Sequence, residues 1–196
     1  LVINLISNYF RTILMLEVEW TYYFAQMGTK NINSISLLSP PQMEWENPTM
    51  ERSPEVFLVR QAMDETGVDL CLDVHGDEGL PYNFISGSEG IPHFTERLAR
   101  LQEEFKAAYM KANPDFQITY GYPITSPGKA NMTMCTNQIA ERFGCLAATI
   151  EQPFKDNADA PDARYGWSPR RCQLLGASTL GAPGPRQTQR TRAPLA

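Results

Sequence analysis

Close cysteine pairs, a surplus of basic charge and long apolar runs are all missing from this sequence, and each absence excludes a class of protein. The four cysteines, Cys71, Cys135, Cys145 and Cys172, show no CxxC or other tight spacing in a chain of 196 residues. That excludes a disulfide framework and points to thiols of a reducing, cytoplasmic compartment. Seventeen Lys and Arg stand against 22 Asp and Glu, a net charge of −5. A general phosphate-backbone binder needs the opposite balance, so no nucleic-acid partner is expected. The opening apolar segment is interrupted by Asn4, Ser7, Asn8, Arg11, Glu17 and Glu19, which leaves no stretch able to cross a bilayer and predicts no membrane partner. It also lacks the basic start and small-residue cleavage site of a secretory signal. Histidine is scarce as well: His75 and His93 are the two in the chain.

Hydrophobic residues, at 42%, are plentiful enough to build one packed core. Residues 1–42 show no sustained period, end in the breaker cluster Leu38-Ser39-Pro40-Pro41 and receive no assignment. Residues 43–180 carry consistent element signals. Residues 181–196 are rich in Gly, Pro and Arg without apolar periodicity and are expected to be a disordered tail.

In the middle zone, Ser53-Pro54-Glu55 starts a helix: the hydroxyl can cap a free N–H, Pro suits the first turn and Glu meets the positive dipole end. Val56, Val59 and Met63 follow at helical spacing, and Gly67 stops it. The run from Val68 to His75 is short, β-branched and mostly apolar, which fits a strand buried on both faces. Residues 91–112 form an amphipathic helix with Phe94, Leu98, Leu101, Phe105 and Ala108 on one stripe. Residues 132–143 read as a third helix ended by Gly144, and Cys145 to Ile150 repeat the buried-strand pattern before Glu151. Two helix-then-strand units predict an α/β fold with a mixed, partly parallel sheet. Ligands of open α/β sheets sit beyond the carboxyl ends of the strands, where His75 and Glu151 fall.

Asp73-Val74-His75-Gly76-Asp77-Glu78 puts an imidazole among three carboxylates. Such a setting suits a divalent cation, with Asp73 orienting the ring from behind, or simply a hydrogen-bonded structural histidine. Glu151 leaves an apolar strand at the rigid exit Gln152-Pro153-Phe154. There it reads either as a partly desolvated general base or as a strand-end carboxylate paired with Lys155 or Arg142. The loop from Tyr120 to Gly128 is an ordinary connection or the border of a cleft. Lys129 and Arg142 are possible partners for a substrate carboxylate.

Several motifs in order carry a resemblance: Glu44-Trp45 with Asn47-Pro48-Thr49, Ser53-Pro54-Glu55-Val56, Leu72-Asp73-Val74-His75-Gly76-Asp77-Glu78, Pro81-Tyr82-Asn83-Phe84, and Thr149-Ile150-Glu151-Gln152-Pro153-Phe154. Over residues 43–180 the chain resembles the C-terminal half of a zinc carboxypeptidase catalytic domain, of the cytosolic carboxypeptidase-like subfamily. The resemblance implies part of a three-layer α/β/α sandwich, zinc as cofactor, His75 as a zinc ligand and Glu151 as general base. It further implies a peptide or protein C-terminus as substrate, from which the last residue is hydrolysed. Two family features are missing. No upstream HxxE motif supplies the first two ligands, and Gln42 and Met43 occupy the places of the Asn-Arg pair that grips the terminal carboxylate. A local set of His75, Glu78 and His93 is the internal substitute for the absent ligands. The family pattern begins at Glu44 and fades after Thr179, so a partial domain flanked by sequence of another origin is expected. The competing expectation is a non-catalytic remnant or pseudoenzyme that at most binds a partner.

Overall fold

Pro54 at the first turn and Gly67, at φ 72°, bracket helix α1 (Pro54–Thr66), which buries Val56 and Met63. The computed structural model describes residues 2–7, 10–16 and 44–181. The remaining elements are β1 (Val2–Ser7), β2 (Phe10–Leu16), β3 (Leu70–Asp77), β4 (Phe84–Ser86), α2 (Glu96–Ala112), α3 (Cys135–Phe143), β5 (Leu146–Pro153) and α4 (Pro169–Gly181). Residues 17–43 and 182–196, with the Gln42 and Met43 positions and nearly all of the expected tail, lie outside the described residues.

The fold is α/β. Its sheet has the order β1-β2-β3-β5-β4. Strands β2, β3 and β5 run parallel, whereas β4 is antiparallel to β5 and β1 to β2. Strands β3, β5 and β4 form the mixed portion that carries the site. The pair β1 and β2 falls in the stretch to which the sequence assigned nothing: its strands are six and seven residues long, too short for a sustained period to emerge.

Strand β3 starts at Leu70 rather than Val68 and runs past His75 to Asp77. The amphipathic helix begins at Glu96, later than position 91, because the Thr95 side chain caps it by accepting from Leu98 N at 3.3 Å. Helix α3 begins at Cys135 because the Asn131 side chain accepts from both Thr133 N and Thr133 Oγ1 and holds the preceding residues in a turn. Ser53 differs from its expected role. Its hydroxyl caps nothing and is buried without a hydrogen-bond partner among the described residues, and the backbone carbonyl instead accepts from Phe57 N at 2.9 Å.

The core gathers Trp45, Met63, Leu72, Phe105, Tyr109, Ile139, Ile150 and Leu175. Leu98, Leu101, Phe105 and Tyr109 make the buried stripe of α2, and burying each such side chain contributes about 1.5–3 kcal/mol. Tyr109 Oη donates to the Leu175 carbonyl at 3.1 Å and Asn113 Nδ2 to Ser178 Oγ at 3.1 Å, which docks α4 onto α2. Helix α3 packs on β3 and β5, where the Thr136 and Thr149 hydroxyls share a buried hydrogen bond of 2.7 Å. Cys71, Cys135 and Cys145 are buried and Cys172 is half-buried, and none of the four forms a disulfide among the described residues. Among the described residues no helix is long and apolar enough to cross a membrane.

Candidate active site

Parallel pairing of β3 with β5 sets Asp73 opposite Thr149, His75 opposite Glu151 and Asp77 opposite Pro153. Residues directly opposed across a ladder project from the same face, and alternate residues along each strand project from the other. The polar residues Asp73, His75, Asp77, Thr149 and Glu151 therefore share one face at the carboxyl ends of two adjacent parallel strands, while Leu72, Val74, Ala148 and Ile150 line the other. Antiparallel β4 adds Phe84 opposite Glu151 and Ser86 opposite Thr149 on that polar face. At Gly76 a Cβ would collide with the ring of Phe154, so the missing side chain lets that ring cross the end of β3.

Glu151 is only 5% exposed. Burial pushes its carboxyl above the usual range, and the carboxylates of Asp77 and Asp73 push the same way. The nearby His75 ring and a hydrogen bond from Tyr122 act against that rise. Tyr122 Oη lies 2.6 Å from Asp77 Oδ2 and 3.4 Å from Glu151 Oε1, so one hydroxyl spans both acids. Asp77 is held below the ordinary range: burial raises it, but Tyr122 and the backbone N–H groups of Gly79 and Leu80, at 2.5 and 3.1 Å, outweigh that. The Tyr122 hydroxyl, partly buried and facing two carboxylates, is in turn pushed strongly upward and stays protonated. Two adjacent acids are thus driven apart, one toward the charged form and one toward the neutral form, which is the pattern of a site that handles protons.

His75 Nε2 stands 3.0 Å from Asp73 Oδ2. The two are close enough for an ion pair, though the ring nitrogen and the carboxylate are not aligned as a hydrogen bond. Asp73 therefore lies beside the His75 ring. Of the alternative partners for Glu151, Arg142 is taken up elsewhere: it makes a two-pronged pair with Asp64 at 2.6 and 2.8 Å.

A zinc ion takes at least three protein donors. Among the described residues no three His, Cys, Asp or Glu side chains converge to hold one. His93, 84% exposed, is bound to Glu141, so the local set of His75, Glu78 and His93 does not assemble. The donors present among the described residues therefore do not fit zinc.

Next to Phe84, Tyr122 and Thr149 opens a cavity of about 520 Å³, whose wall also includes Tyr120, Lys129 and Thr136 but neither acid, Tyr122 being the residue that touches both the acids and the cavity. The loop from Tyr120 to Gly128 is therefore a cleft wall as well as a connection, tied down where Ala130 N donates to the Gly90 carbonyl at 2.9 Å. Tyr82 and Tyr120 stack with ring centroids 4.4 Å apart, and Phe84 meets Tyr122 edge-on at 5.0 Å. Tyr122 is the site residue that the sequence reading did not single out. Its contact spans 29 residues to Glu151 and 45 to Asp77, and no local pattern marks it.

No family model matches the chain. An uncharacterised protein of Zymomonas mobilis is 48% identical over 137 residues, which is 70% of this chain and 36% of that protein. Among solved structures, a candidate carboxypeptidase A from Shewanella denitrificans aligns with a TM-score of 0.72 at 51% identity, covering 74% of this chain and 38% of its own. A metallo-carboxypeptidase from Pseudomonas aeruginosa, bound to (2-guanidinoethylmercapto)succinic acid, aligns with a TM-score of 0.72 at 44% identity and the same coverages. The chain thus spans less than two-fifths of the length of the proteins it matches. What they share with it is a partial carboxypeptidase-like domain.

Proposed function

We propose that this partial carboxypeptidase-like domain carries the proton-transfer part of a hydrolytic site for the C-terminal peptide bond of a peptide or protein. Glu151 is the general base, and His75 is the one ligand that the described residues could contribute to a zinc centre of the metallo-carboxypeptidase kind, whose other donors they do not supply. The observation that carries this reading is the register that sets His75 opposite Glu151, with Tyr122 joining Glu151 to Asp77. A carboxylate with raised proton affinity can take a proton from water and return it to the departing amine, while Tyr122 and Asp77 hold it in place. The compound bound by the Pseudomonas protein has two carboxylates on a succinate unit, in keeping with a substrate that ends in a free carboxylate. A cytoplasmic setting, where the thiols persist, completes the proposal.

That no three metal donors converge among the described residues favours a second reading, in which the chain binds such peptides without cleaving them. Both readings are tested by following hydrolysis of acetyl-glycyl-phenylalanine by the purified chain, with zinc added, beside Glu151→Gln and His75→Ala. Turnover above trace that both substitutions abolish makes the chain a peptidase in its own right. Trace turnover, with Glu151 and Tyr122 signals moved by the peptide in NMR, supports the base-bearing but metal-incomplete site. Trace turnover with neither signal moved refutes the assignment of the site.

A further inference from the structure

The cavity beside Tyr122 has three charged residues on its wall: Glu89, Lys106 and Lys129. Two of them neutralise each other. Lys106 Nζ lies 3.7 Å from Glu89 Oε1 and 3.2 Å from Glu103 Oε1, and Glu89 also accepts from Gln102 Nε2. Lys129 is different. It follows Gly128, whose φ of +72° closes the turn in which Lys129 N donates to the Ser126 carbonyl at 3.0 Å. Its ammonium has no ion-pair partner among the described residues, while the chain's other candidate, Arg142, is committed to Asp64.

We infer that Lys129 holds the carboxylate of a carboxylate-bearing peptide in this cavity, against the aromatic wall of Phe84, Tyr120 and Tyr122. The net charge of the wall is positive by one, because the Glu89 and Lys106 charges cancel. The cavity also reaches the Thr136 and Thr149 hydroxyls and the rings that abut Glu151, so a ligand anchored at Lys129 lies along the same polar face as the base. A volume of about 520 Å³ admits one or two residues of a peptide. An ammonium held on a turned loop acts as a point charge, without the two-pronged geometry of a guanidinium, so it fixes the position of a carboxylate more than its orientation. The carboxylate has two possible sources, the chain terminus or an acidic side chain. The inference rests on the peptide-directed function above and adds the group that recognises the ligand.

The test is binding rather than turnover, by titration calorimetry on the full chain at low ionic strength. Three probes separate the sources: acetyl-glycyl-phenylalanine as free acid, the same peptide as its amide, and acetyl-glycyl-glutamic acid with an amidated terminus and a free side chain. The expected result is that at least one carboxylate-bearing probe binds, the doubly neutral amide binds worse, and Lys129→Gln weakens that probe about 5- to 10-fold. Lys129→Arg restores most of the affinity, and raising the salt from low to moderate concentration mimics Lys129→Gln. Hydrolysis is read with Glu151→Gln and affinity with Lys129→Gln, so failure of the catalytic reading and failure of this one are separately visible. Equal affinity of Lys129→Gln and the unmodified chain for every probe overturns the inference, and so does the absence of binding by all three.

Discussion

Removing a single oxygen, by Tyr122→Phe, tests whether the two acids of the site are organised as described. The hydroxyl lies 2.6 Å from Asp77 Oδ2 and 3.4 Å from Glu151 Oε1. A hydrogen bond to a charged group contributes about 1.5–3 kcal/mol when well shielded. Tyr122 is 48% exposed, and Asp77 keeps its two backbone donors from Gly79 and Leu80, so about 1 kcal/mol is expected here. That corresponds to a fall in Tm of about 2–4 °C for a chain of this size. The pH dependence is the sharper signature. Asp77 is held below its ordinary range in the folded state, so its contribution is present above the unfolded value, about 3.9, and is lost as pH falls through the folded value. Tyr122 supplies much of that contribution. The gap between the unmodified chain and Tyr122→Phe should therefore be full between pH 6 and 8 and close as the solution is acidified below about pH 4. In the same variant, 13C NMR should show both Asp77 and Glu151 titrating higher, because both lose a donor. Thermal melts across pH together with the titration decide the matter. A gap that is absent at pH 7, or that persists unchanged to pH 2.5, refutes the bridging role of the hydroxyl.

Three further substitutions probe the charges and backbone of the fold. Glu151 is raised above its ordinary range by burial, so its contribution to stability is present below the unfolded value and lost as pH rises through the folded one. Glu151→Gln should then be more stable than the unmodified chain by about 1–2 kcal/mol at pH 8 and equal to it near pH 4, as read from denaturant melts at the two pH values. Arg171 joins Asp115 at 2.6 and 3.1 Å and Asp156 at 3.2 Å, with Trp167 under its guanidinium at 4.9 Å. Arg171→Leu strands the Asp115 carboxylate, leaves Asp156 with only the backbone N–H groups of Asn157 and Asp162, and should cost about 2–4 kcal/mol in urea unfolding, and a cost below 0.5 kcal/mol would show the network to be solvated. Gly166 has φ +59°, and a Cβ there would strike the Lys155 carbonyl, so Gly166→Ala should lower stability by about 2 kcal/mol or more. Serine at the same position should do no better.

The parts of the fold that announced themselves in the sequence are those whose signals are local. Pro54 and Gly67 bracket α1 as their backbone preferences require, and the stripe of Leu98, Leu101 and Phe105 marks α2 because it repeats at the helical period. The two buried strands showed as short apolar runs, and their last residues fell at the sheet's carboxyl end because parallel strands must end there together. The hairpin of β1 and β2 and the three-residue β4 were not legible, since strands that short are fixed by their neighbours across the sheet rather than by their own sequence. Helix α4 likewise lacks a strong stripe and is held by its contacts with Tyr109 and Asn113. At the site, His75, Asp73 and Glu151 stood out because charged groups in an apolar strand are conspicuous. Tyr122 did not, because its importance comes from a loop that folds back across the sheet.

As proposed, the chain contributes Glu151 as a base and His75 as one imidazole to a hydrolytic site, while among the described residues no zinc centre is completed. Elemental analysis of the purified chain after extensive dialysis, with His75→Ala in parallel, measures this most directly. The account predicts well below one zinc per chain in both proteins, since a lone imidazole beside carboxylates binds zinc weakly. One zinc per chain, retained through dialysis and lost in His75→Ala, would contradict it and show that a full set of ligands assembles around His75.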